Sequence, residues 1–307
     1  MPGVRLYFIK KFLRSIKSKA NYNNLRGARI GFNKMVRPFN KPLPHFTYSN
    51  TMVGSMNAEW IKYRDCNEKK VILYFHGGGY ATGSIVTHRA FVSQLAKFSK
   101  MSALVVEYRL SPENKYPAPI EDAVFAYNWL LEKGFLPSDI AFSGDSAGGG
   151  VTLGALAWLR DNSQTLPACA VVFSPWADLT ASGASLIAKK DIDPMLVYEA
   201  FDVWIKAYLG DAPADSPYCS TIFHSLQNFP PLLIQVGDEE MLLDDSIRLE
   251  EKAKADGVDV TLQVYPKHFH VFNAFWRILP EANKANKFAG TFFADKLCDK
   301  TIEAPIS

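Results

Sequence analysis

The chain contains 307 residues, of which 48% are hydrophobic and 21% are charged. This length and composition fit one large α/β domain with a small appendage, or two ordinary domains, and they exclude a disordered chain. A formal net charge of +3 is too small to indicate a nucleic-acid partner.

The cysteines and the hydropathy pattern narrow the class of protein further. The cysteines have neither CxxC nor Cys/His spacing, so we expect reduced thiols, no metal and a cytoplasmic location. No apolar run reaches the ~18 residues that a transmembrane helix needs. The four cysteines are Cys66, Cys169, Cys219 and Cys298.

Residues 1–45 are predicted to form N-terminal cap helices. The first residues resemble a signal peptide, but Lys10, Lys11 and Arg14 interrupt the apolar run and no small-residue cleavage site follows. The spacing instead predicts an amphipathic helix with a basic face, and much of the net charge lies in Arg5–Lys19. We expect its apolar stripe to pack on the body of the protein. Weak contact with an anionic membrane is the alternative.

Residues 46–307 have the pattern of one α/β catalytic domain. The segment Phe46–Asp65 resembles an antiparallel hairpin, and short apolar runs then alternate with longer helical patterns. This alternation predicts a mainly parallel central sheet flanked by helices on both faces. Strands are predicted at Val71–Phe75, Ala103–Tyr108, Ile140–Ser143, Cys169–Phe173, Leu232–Val236 and Val260–Tyr265. Helices are predicted at His88–Lys100, Ile120–Lys133, Gly148–Asp161, Asp244–Asp256 and Phe272–Leu297.

A long excursion over about residues 181–229 departs from this alternation. It contains one helical pattern, Met195–Leu209, and is much longer than a single crossover requires. Insertions of this size usually lie above the carboxyl edge of the sheet, where ligands bind. We therefore predict a cap insertion. Its aromatic residues and those of the N-terminal cap could line a pocket, although ordinary packing explains most of them: Phe32, Phe39, Trp204, Tyr208 and Phe223.

The segment Gly144–Gly148 has the sequence GDSAG between a predicted strand and a predicted helix. This G-x-S-x-G pattern in that context is typical of a nucleophile elbow, in which the serine occupies a sharp strand-to-helix turn. The amino end of the following helix then offers N–H groups and a positive dipole to a developing oxyanion. Ser146 is therefore the candidate nucleophile.

The second motif, His76–Tyr80, has the sequence HGGGY directly after a predicted strand. Consecutive glycines allow the backbone amides to approach a substrate. The amides of Gly78 and Gly79, together with that of Ala147, are candidate donors of an oxyanion hole, and Gly77 is a further candidate. A flexible loop or a phosphate-binding loop is the alternative, but the Lys-Ser/Thr of a phosphate loop does not follow.

Together these motifs resemble the hormone-sensitive lipase family of α/β-hydrolases, in its bacterial esterase branch. The resemblance implies the α/β-hydrolase fold with a helical cap, and a structural hydrogen-bonding role for His76. It extends from the HGGGY motif almost to the carboxyl terminus. The remaining segments that carry it are Tyr108–Glu113, Tyr116–Ala118, Asp122, Gly144–Gly149, Ser174–Trp176, Asp178 and Gln235–Ser246.

The resemblance also selects the general base among six histidines. His268 and His270 both follow the last predicted strand, in Tyr265–Phe272. In the family, the segment at this place ends in a histidine followed by two apolar residues, which identifies His270. His268, two residues earlier, is expected to be exposed on the same loop. His45, His88 and His224 have no motif around them.

The acid of the triad is predicted by the family motif D-P-L-x-D. Aligned without gaps, its first position falls on Glu240, about thirty residues before His270. Asp238 is the alternative acid, and Asp244 or Asp245 would cap the following helix.

The predicted function is that of a serine carboxylesterase acting on short- to medium-chain acyl esters through an acyl-enzyme, without a cofactor. A membrane-surface lipase, an amidase and a non-catalytic ligand-binding receptor of the same fold remain alternatives. Tyr80 and Asp145 are further candidates for substrate contact. The resemblance also makes a homodimer through the edge strand Val260–Tyr265 plausible.

Overall fold

A sheet of eight strands organises the protein in the computed structural model, which describes residues 2–19, 21–37 and 40–298. Its spatial order is β1-β2-β4-β3-β5-β6-β7-β8, and β2 runs in the opposite direction to the other seven strands. The mainly parallel sheet and the hairpin that leads into it are confirmed. The strands are β1 (Phe46–Val53), β2 (Met56–Tyr63), β3 (Asn67–Phe75), β4 (Met101–Val106), β5 (Ile140–Asp145), β6 (Cys169–Phe173), β7 (Leu232–Gly237) and β8 (Val260–Tyr265).

Helices cover both faces of this sheet, as the side chains of β3 show. Val71, Leu73 and Phe75 point into a large core that contains residues of α4, α5 and α8, whereas Ile72 and Tyr74 pack with α3 and α9. Because successive side chains of a strand point to opposite faces, a continuous apolar run here indicates burial on both sides. The helices are α1 (Pro2–Lys17), α2 (Leu25–Val36), α3 (Ile85–Ser99), α4 (Ala118–Glu132), α5 (Ala147–Asp161), α6 (Ala184–Ala188), α7 (Ala200–Leu209), α8 (Leu243–Ala255) and α9 (Pro280–Lys296).

Local capping explains where two predicted helices differ from the observed ones. Helix α3 begins three residues earlier than expected, because Ser84 and Thr87 form a reciprocal capping box at its start. The prediction of one helix over Phe272–Leu297 was wrong. A short 3₁₀ helix ends at Phe275, and Pro280 begins α9, since proline is favoured in the first turn of a helix.

Helix α1 packs one stripe on the body of the protein, as expected. Ile9 and Leu13 are buried against Phe269 and Phe272, the residues that flank the His270 loop. Lys10 forms an ion pair with Glu239 at 2.6 Å. The N-terminal helix is therefore attached to the loops that follow β7 and β8.

The insertion after β6 contains α6, α7 and a 3₁₀ turn at Thr221–Phe223. It contacts α1, because Lys17 donates to the backbone carbonyls of Lys190 and Asp193. Helix α7 reaches the HGGGY segment His76–Tyr80, which we call the glycine loop. A Cβ atom on Gly79 would lie 3.0 Å from the ring of Trp204 on α7. The insertion therefore lies over the carboxyl edge of the sheet.

The described residues contain no membrane-spanning helix, metal-ligand cluster or disulfide bond. Across the described residues, no helix is both long and apolar enough to cross a bilayer. In the same part of the chain, no three His, Cys, Asp or Glu side chains group together as metal ligands would. The four cysteines, all of which the structure describes, carry free thiols.

Candidate active site

Ser146 occupies the sharp turn between β5 and α5. Its backbone has φ 55° and ψ −123°, a left-handed conformation that is strained for a residue with a side chain. The Ser146 amide donates to the Phe173 carbonyl at 2.9 Å, which holds the turn against the neighbouring strand β6. Gly148 is needed for close approach, because a Cβ atom there would lie 2.1 Å from the Phe75 carbonyl oxygen. The local structure is that of a nucleophile elbow.

His270 and Glu240 form a buried pair at the same edge of the sheet. The Nδ1–H of His270 donates to Glu240 Oε1 at 3.1 Å, and the two residues are 2% and 0% exposed. Asp238, the alternative acid, instead accepts a hydrogen bond from the Lys267 amide. The geometry therefore favours Glu240 as the partner of His270.

Ser174, at the end of β6, links this pair to the neighbouring loops. Its hydroxyl donates to Glu240 Oε2 at 2.8 Å and accepts from the Val271 amide at 3.0 Å. The Gly237 amide also donates to Glu240 Oε2, at 3.0 Å. Both oxygens of the carboxylate therefore have fixed partners, and the residue after His270 is held in place. Sequence reasoning recorded Ser174 only as part of a motif, because its partners come from two other loops.

Burial and charge act on the pKa of His270 in opposite directions. Burial disfavours the charged imidazolium and is the largest single influence, but the hydrogen bond and charge of Glu240, with the charges of Asp193 and Asp145, raise the pKa above its usual value. Asp193 was not predicted as a site residue. It accepts from the Met241 amide at 3.0 Å and so braces the segment that follows Glu240.

Ser146 is connected to this pair through the backbone. Among the hydrogen bonds of the described residues, none joins the Ser146 hydroxyl to His270. Instead, Ser146 contacts Phe173, whose neighbour Ser174 binds Glu240. The three candidate triad residues thus lie on adjacent loops, and catalytic hydrogen bonds commonly shorten only when substrate binds.

The glycine loop presents unpaired amides beside the elbow. Gly78 has φ 125°, a conformation that disfavours any side chain. In the described part of the chain, no acceptor is found for the amides of Gly78, Gly79 or Ala147. The Gly77 amide, in contrast, donates to Asp145 Oδ1 at 3.0 Å. Gly77 is therefore removed from the candidate oxyanion donors, because its N–H is already engaged.

Asp145 was expected to contact substrate, but it is 3% exposed and braces the glycine loop instead. Besides Gly77, it accepts from the Tyr74 hydroxyl at 2.6 Å and from His88 Nε2 at 3.3 Å. Burial alone would raise the pKa of Asp145, but the His88 charge and these hydrogen bonds lower it overall. Burial alone would lower the pKa of His88, but the charge and hydrogen bond of Asp145, with the Ser84 hydrogen bond and the Glu107 charge, raise it overall. The network was missed because no motif surrounds His88 or Tyr74.

Tyr80 was the other predicted substrate contact, and the structure buries it too. It is 1% exposed, and its ring stacks on Tyr208 at a centroid distance of 3.8 Å. Trp204 remains next to the site through its contact with Gly79.

Two of the other aromatics proposed for the pocket are at least partly exposed. Phe223 is 43% exposed beneath the Arg248 guanidinium. Phe32 is half-buried on α2, and Phe39 lies outside the described residues.

Two further histidines singled out in the sequence, His76 and His268, are both buried. His76 is buried and contacts the Gly77 carbonyl at 3.0 Å, while burial and the His88 charge lower its pKa to about 3. His268 was expected to be exposed but is 5% exposed, and its Nδ1 contacts the Pro266 carbonyl.

Asp244 and Asp245 were expected to cap α8, which was wrong. Both lie inside its first turn, and their carboxylates accept from the amides of other segments. Asp244 accepts from Ser185, and Asp245 accepts from Ala177 and Asp178. They therefore attach the insertion and the loop after β6 to α8.

The Asp145 network leads to a testable prediction. Replacing Asp145 with asparagine keeps the size of the side chain but removes the charge that pairs with His88 and holds the Gly77 amide. We expect kcat to fall on the order of 10²-fold with KM little changed, because displaced oxyanion donors act mainly in the transition state. Asp65→Asn, at an exposed carboxylate, serves as the control. An unchanged kcat would contradict the bracing role, and thermal melting of both variants would separate it from loss of fold.

Several known proteins resemble this chain in sequence and in structure. A family model described as the alpha/beta hydrolase fold matches residues 72–274. An acetyl-hydrolase of Streptomyces hygroscopicus is 41% identical over 240 residues, covering 78% of this chain and 80% of the relative. An esterase of Acinetobacter venetianus is 40% identical over 239 residues, covering 76% and 77%.

A solved structure described as an esterase from the bacterial hormone-sensitive lipase family superposes with a TM-score of 0.91 at 38% identity, covering 95% of this chain and 98% of the other. The esterase EstE5, in a crystal soaked with p-nitrophenyl butyrate, gives a TM-score of 0.90 at 41% identity with the same coverage. The chain belongs to the α/β-hydrolase family, in its bacterial hormone-sensitive lipase branch.

Proposed function

We propose that the protein is a serine carboxylesterase that hydrolyses short- to medium-chain acyl esters. The observation that carries this proposal is the strained elbow at Ser146 beside the buried His270–Glu240 pair. An ester hydrolase needs a nucleophile, a base whose tautomer is fixed, and donors for the oxyanion, and all three lie at one edge of this sheet. The names of the acetyl-hydrolase and esterase relatives support the same activity.

The reaction assigned to these residues has two halves. The Oγ of Ser146 attacks the ester carbonyl carbon while Nε2 of His270 takes the hydroxyl proton, and the carbonyl electrons move onto oxygen. The amides of Gly78, Gly79 and Ala147 stabilise this oxyanion. Collapse expels the alkoxide, which receives the proton from His270. A water molecule then attacks the acyl-enzyme in the same way and releases the carboxylic acid.

Within this proposal, residues 1–45 and about 181–229 form the cap over the catalytic domain, residues 46–307. Contacts of Lys17 with the backbone of the insertion, and of Trp204 with Gly79, support this division. A cytoplasmic location, and a homodimer through the edge strand β8, remain predictions from the sequence.

Hydrolysis of p-nitrophenyl esters from acetate to palmitate tests the proposed activity. We expect kcat/KM to be highest for the short and medium acyl chains and to fall sharply towards palmitate, since the cap restricts the space beside Gly79. Highest activity on palmitate would favour a lipase. No activity on any ester, with activity on the matching anilides, would favour an amidase, and inactivity on both series would favour a non-catalytic receptor.

A further inference from the structure

Helix α1 presents a second apolar stripe that nothing else in the described structure covers. Four large hydrophobic residues on its outer side are 49–61% exposed. No other helix among the described residues carries more than two such side chains. Clustered exposed apolar residues commonly mark an interaction surface, whereas single ones do not. We call these residues the outer stripe: Val4, Tyr7, Phe8 and Phe12.

Basic side chains surround this stripe. Arg5, Lys11 and Arg14 are exposed on the same helix, which contains no acidic residue. The imbalance extends along the chain: residues 1–58 contain 11 Lys and Arg and no Asp or Glu, whereas the remaining 249 contain 23 basic and 31 acidic residues. The N-terminal part is thus strongly cationic on a body of opposite sign.

Only the inner side of α1 packs on the body of the protein. Its inner side holds Ile9 and Leu13 against Phe269 and Phe272, and Lys10 against Glu239. The outer stripe takes no part in these contacts. It could therefore bind another surface without disturbing the packing next to His270.

We propose that the outer stripe binds an anionic lipid surface. Exposed aromatic side chains interleaved with Lys and Arg are the pattern of a helix that lies in the plane of a membrane interface. Each basic residue near an anionic leaflet adds about 1 kcal/mol, or about fivefold in partition coefficient. A second copy of the chain fits less well, because a symmetric contact would bring two cationic helices together.

The position of α1 extends this proposal to the substrate. The helix lies against the loop that contains His270, and a helix is about 10 Å across. Binding through the outer stripe would therefore place the candidate active site close to a lipid surface, where esters with poor water solubility collect. This part rests on the proposed esterase function, whereas membrane binding by itself does not.

Co-sedimentation with vesicles tests the binding. Ser146→Ala protein would be mixed with vesicles of phosphatidylcholine alone, or of phosphatidylcholine with phosphatidylglycerol, so that no hydrolysis alters the lipid. We expect binding to the anionic vesicles and much weaker binding to the neutral ones. Raising the salt to about 1 M, where the Debye length is about 3 Å, should reduce the difference.

Variants of α1 separate the two contributions. The Phe8→Ser/Phe12→Ser double variant should bind on the order of tenfold more weakly to both kinds of vesicle. Lys11→Glu changes the charge by two, so it should lose on the order of 25-fold on anionic vesicles only. Leu136→Ser, shortly before β5, and Lys69→Glu, near the start of β3, are matched controls at exposed positions on the opposite edge of the sheet, and should bind as the parent does.

Three results would overturn the proposal. Equal binding by the α1 variants and the parent would exclude the outer stripe. Equal affinity for the two vesicle types would exclude charge recognition. Sedimentation showing a dimer that the Phe8/Phe12 variant dissociates, without vesicle binding, would assign the stripe to self-association. Because none of these measurements needs turnover, failure of ester hydrolysis would be detected separately.

Discussion

Replacement of Ser146 with alanine is expected to lower kcat for p-nitrophenyl butyrate by on the order of 10⁵–10⁶-fold, leaving only the residual catalysis that the oxyanion donors and substrate binding supply. The physical reason is that no acyl-enzyme can form without the hydroxyl. The oxyanion donors alone cannot replace a nucleophile held at the tip of the elbow. Steady-state rates on a sensitive ester substrate would measure the loss.

Two controls make this prediction specific. Ser49→Ala, at an exposed position on β1, should keep full activity. A sulfonyl fluoride should label the parent protein at one serine, and peptide mass spectrometry should locate the label at Ser146. Activity of Ser146→Ala within tenfold of the parent, or a label on another serine, would contradict the assigned nucleophile.

Glu240→Gln is expected to have the second largest effect, a loss of on the order of 10³–10⁴-fold in kcat. The Ser174 hydroxyl and the Gly237 amide both donate to one oxygen of this carboxylate. In the glutamine variant the amide oxygen must face these donors, so its NH₂ faces Nδ1 of His270 and favours the tautomer protonated on Nε2. That tautomer cannot accept the proton of Ser146.

The pH dependence gives a second measure of the same change. Burial lowers the pKa of His270, while the hydrogen bond and charge of Glu240, together with the charges of Asp193 and Asp145, raise it further than burial lowers it. Since only the neutral imidazole can act as base, kcat/KM should rise with pH through this raised pKa. Glu240→Gln leaves the effect of burial without that of the carboxylate, so the acid limb of the profile should move to lower pH.

Asp238→Asn is the matched control for the choice of acid. Asp238 accepts from the Lys267 amide and does not contact His270, so we expect less than a twofold change in kcat and no shift of the acid limb. A large loss in Asp238→Asn together with a small one in Glu240→Gln would reverse the assignment of the acid.

Much of the fold was predictable because its determinants are local. Cys169–Phe173 and Val260–Tyr265 were predicted with the observed bounds, since each is a short β-rich run with clear ends. The bounds of α3 and α9 were not, because they depend on the capping box at Ser84 and on Pro280, which end or begin a helix irrespective of hydrophobic periodicity.

In the candidate site too, the residues that lie next to one another in the sequence were easier to predict than those brought together by folding. Ser146 and the glycine loop could be found because their chemistry needs adjacent residues in a fixed order, and such an order survives in the sequence. His270 and Glu240 depended on spacing read through a family resemblance, and Asp238 stayed open. Distinguishing the two carboxylates required knowing that only Glu240 reaches the imidazole, at 3.1 Å.

Patterns of neighbouring residues were enough to predict the class of fold, the candidate nucleophile, the loop of candidate oxyanion donors and the cationic amphipathic N-terminus. The folded structure was needed to show which amides of that loop are unpaired, and that Asp145 and His88, 57 residues apart in the chain, together brace it. It was also needed to show that Ile9 is buried while Phe8 is exposed. Burial and hydrogen bonding depend on which segments meet in space. The sequence around a side chain does not show which residue of a distant loop it will contact.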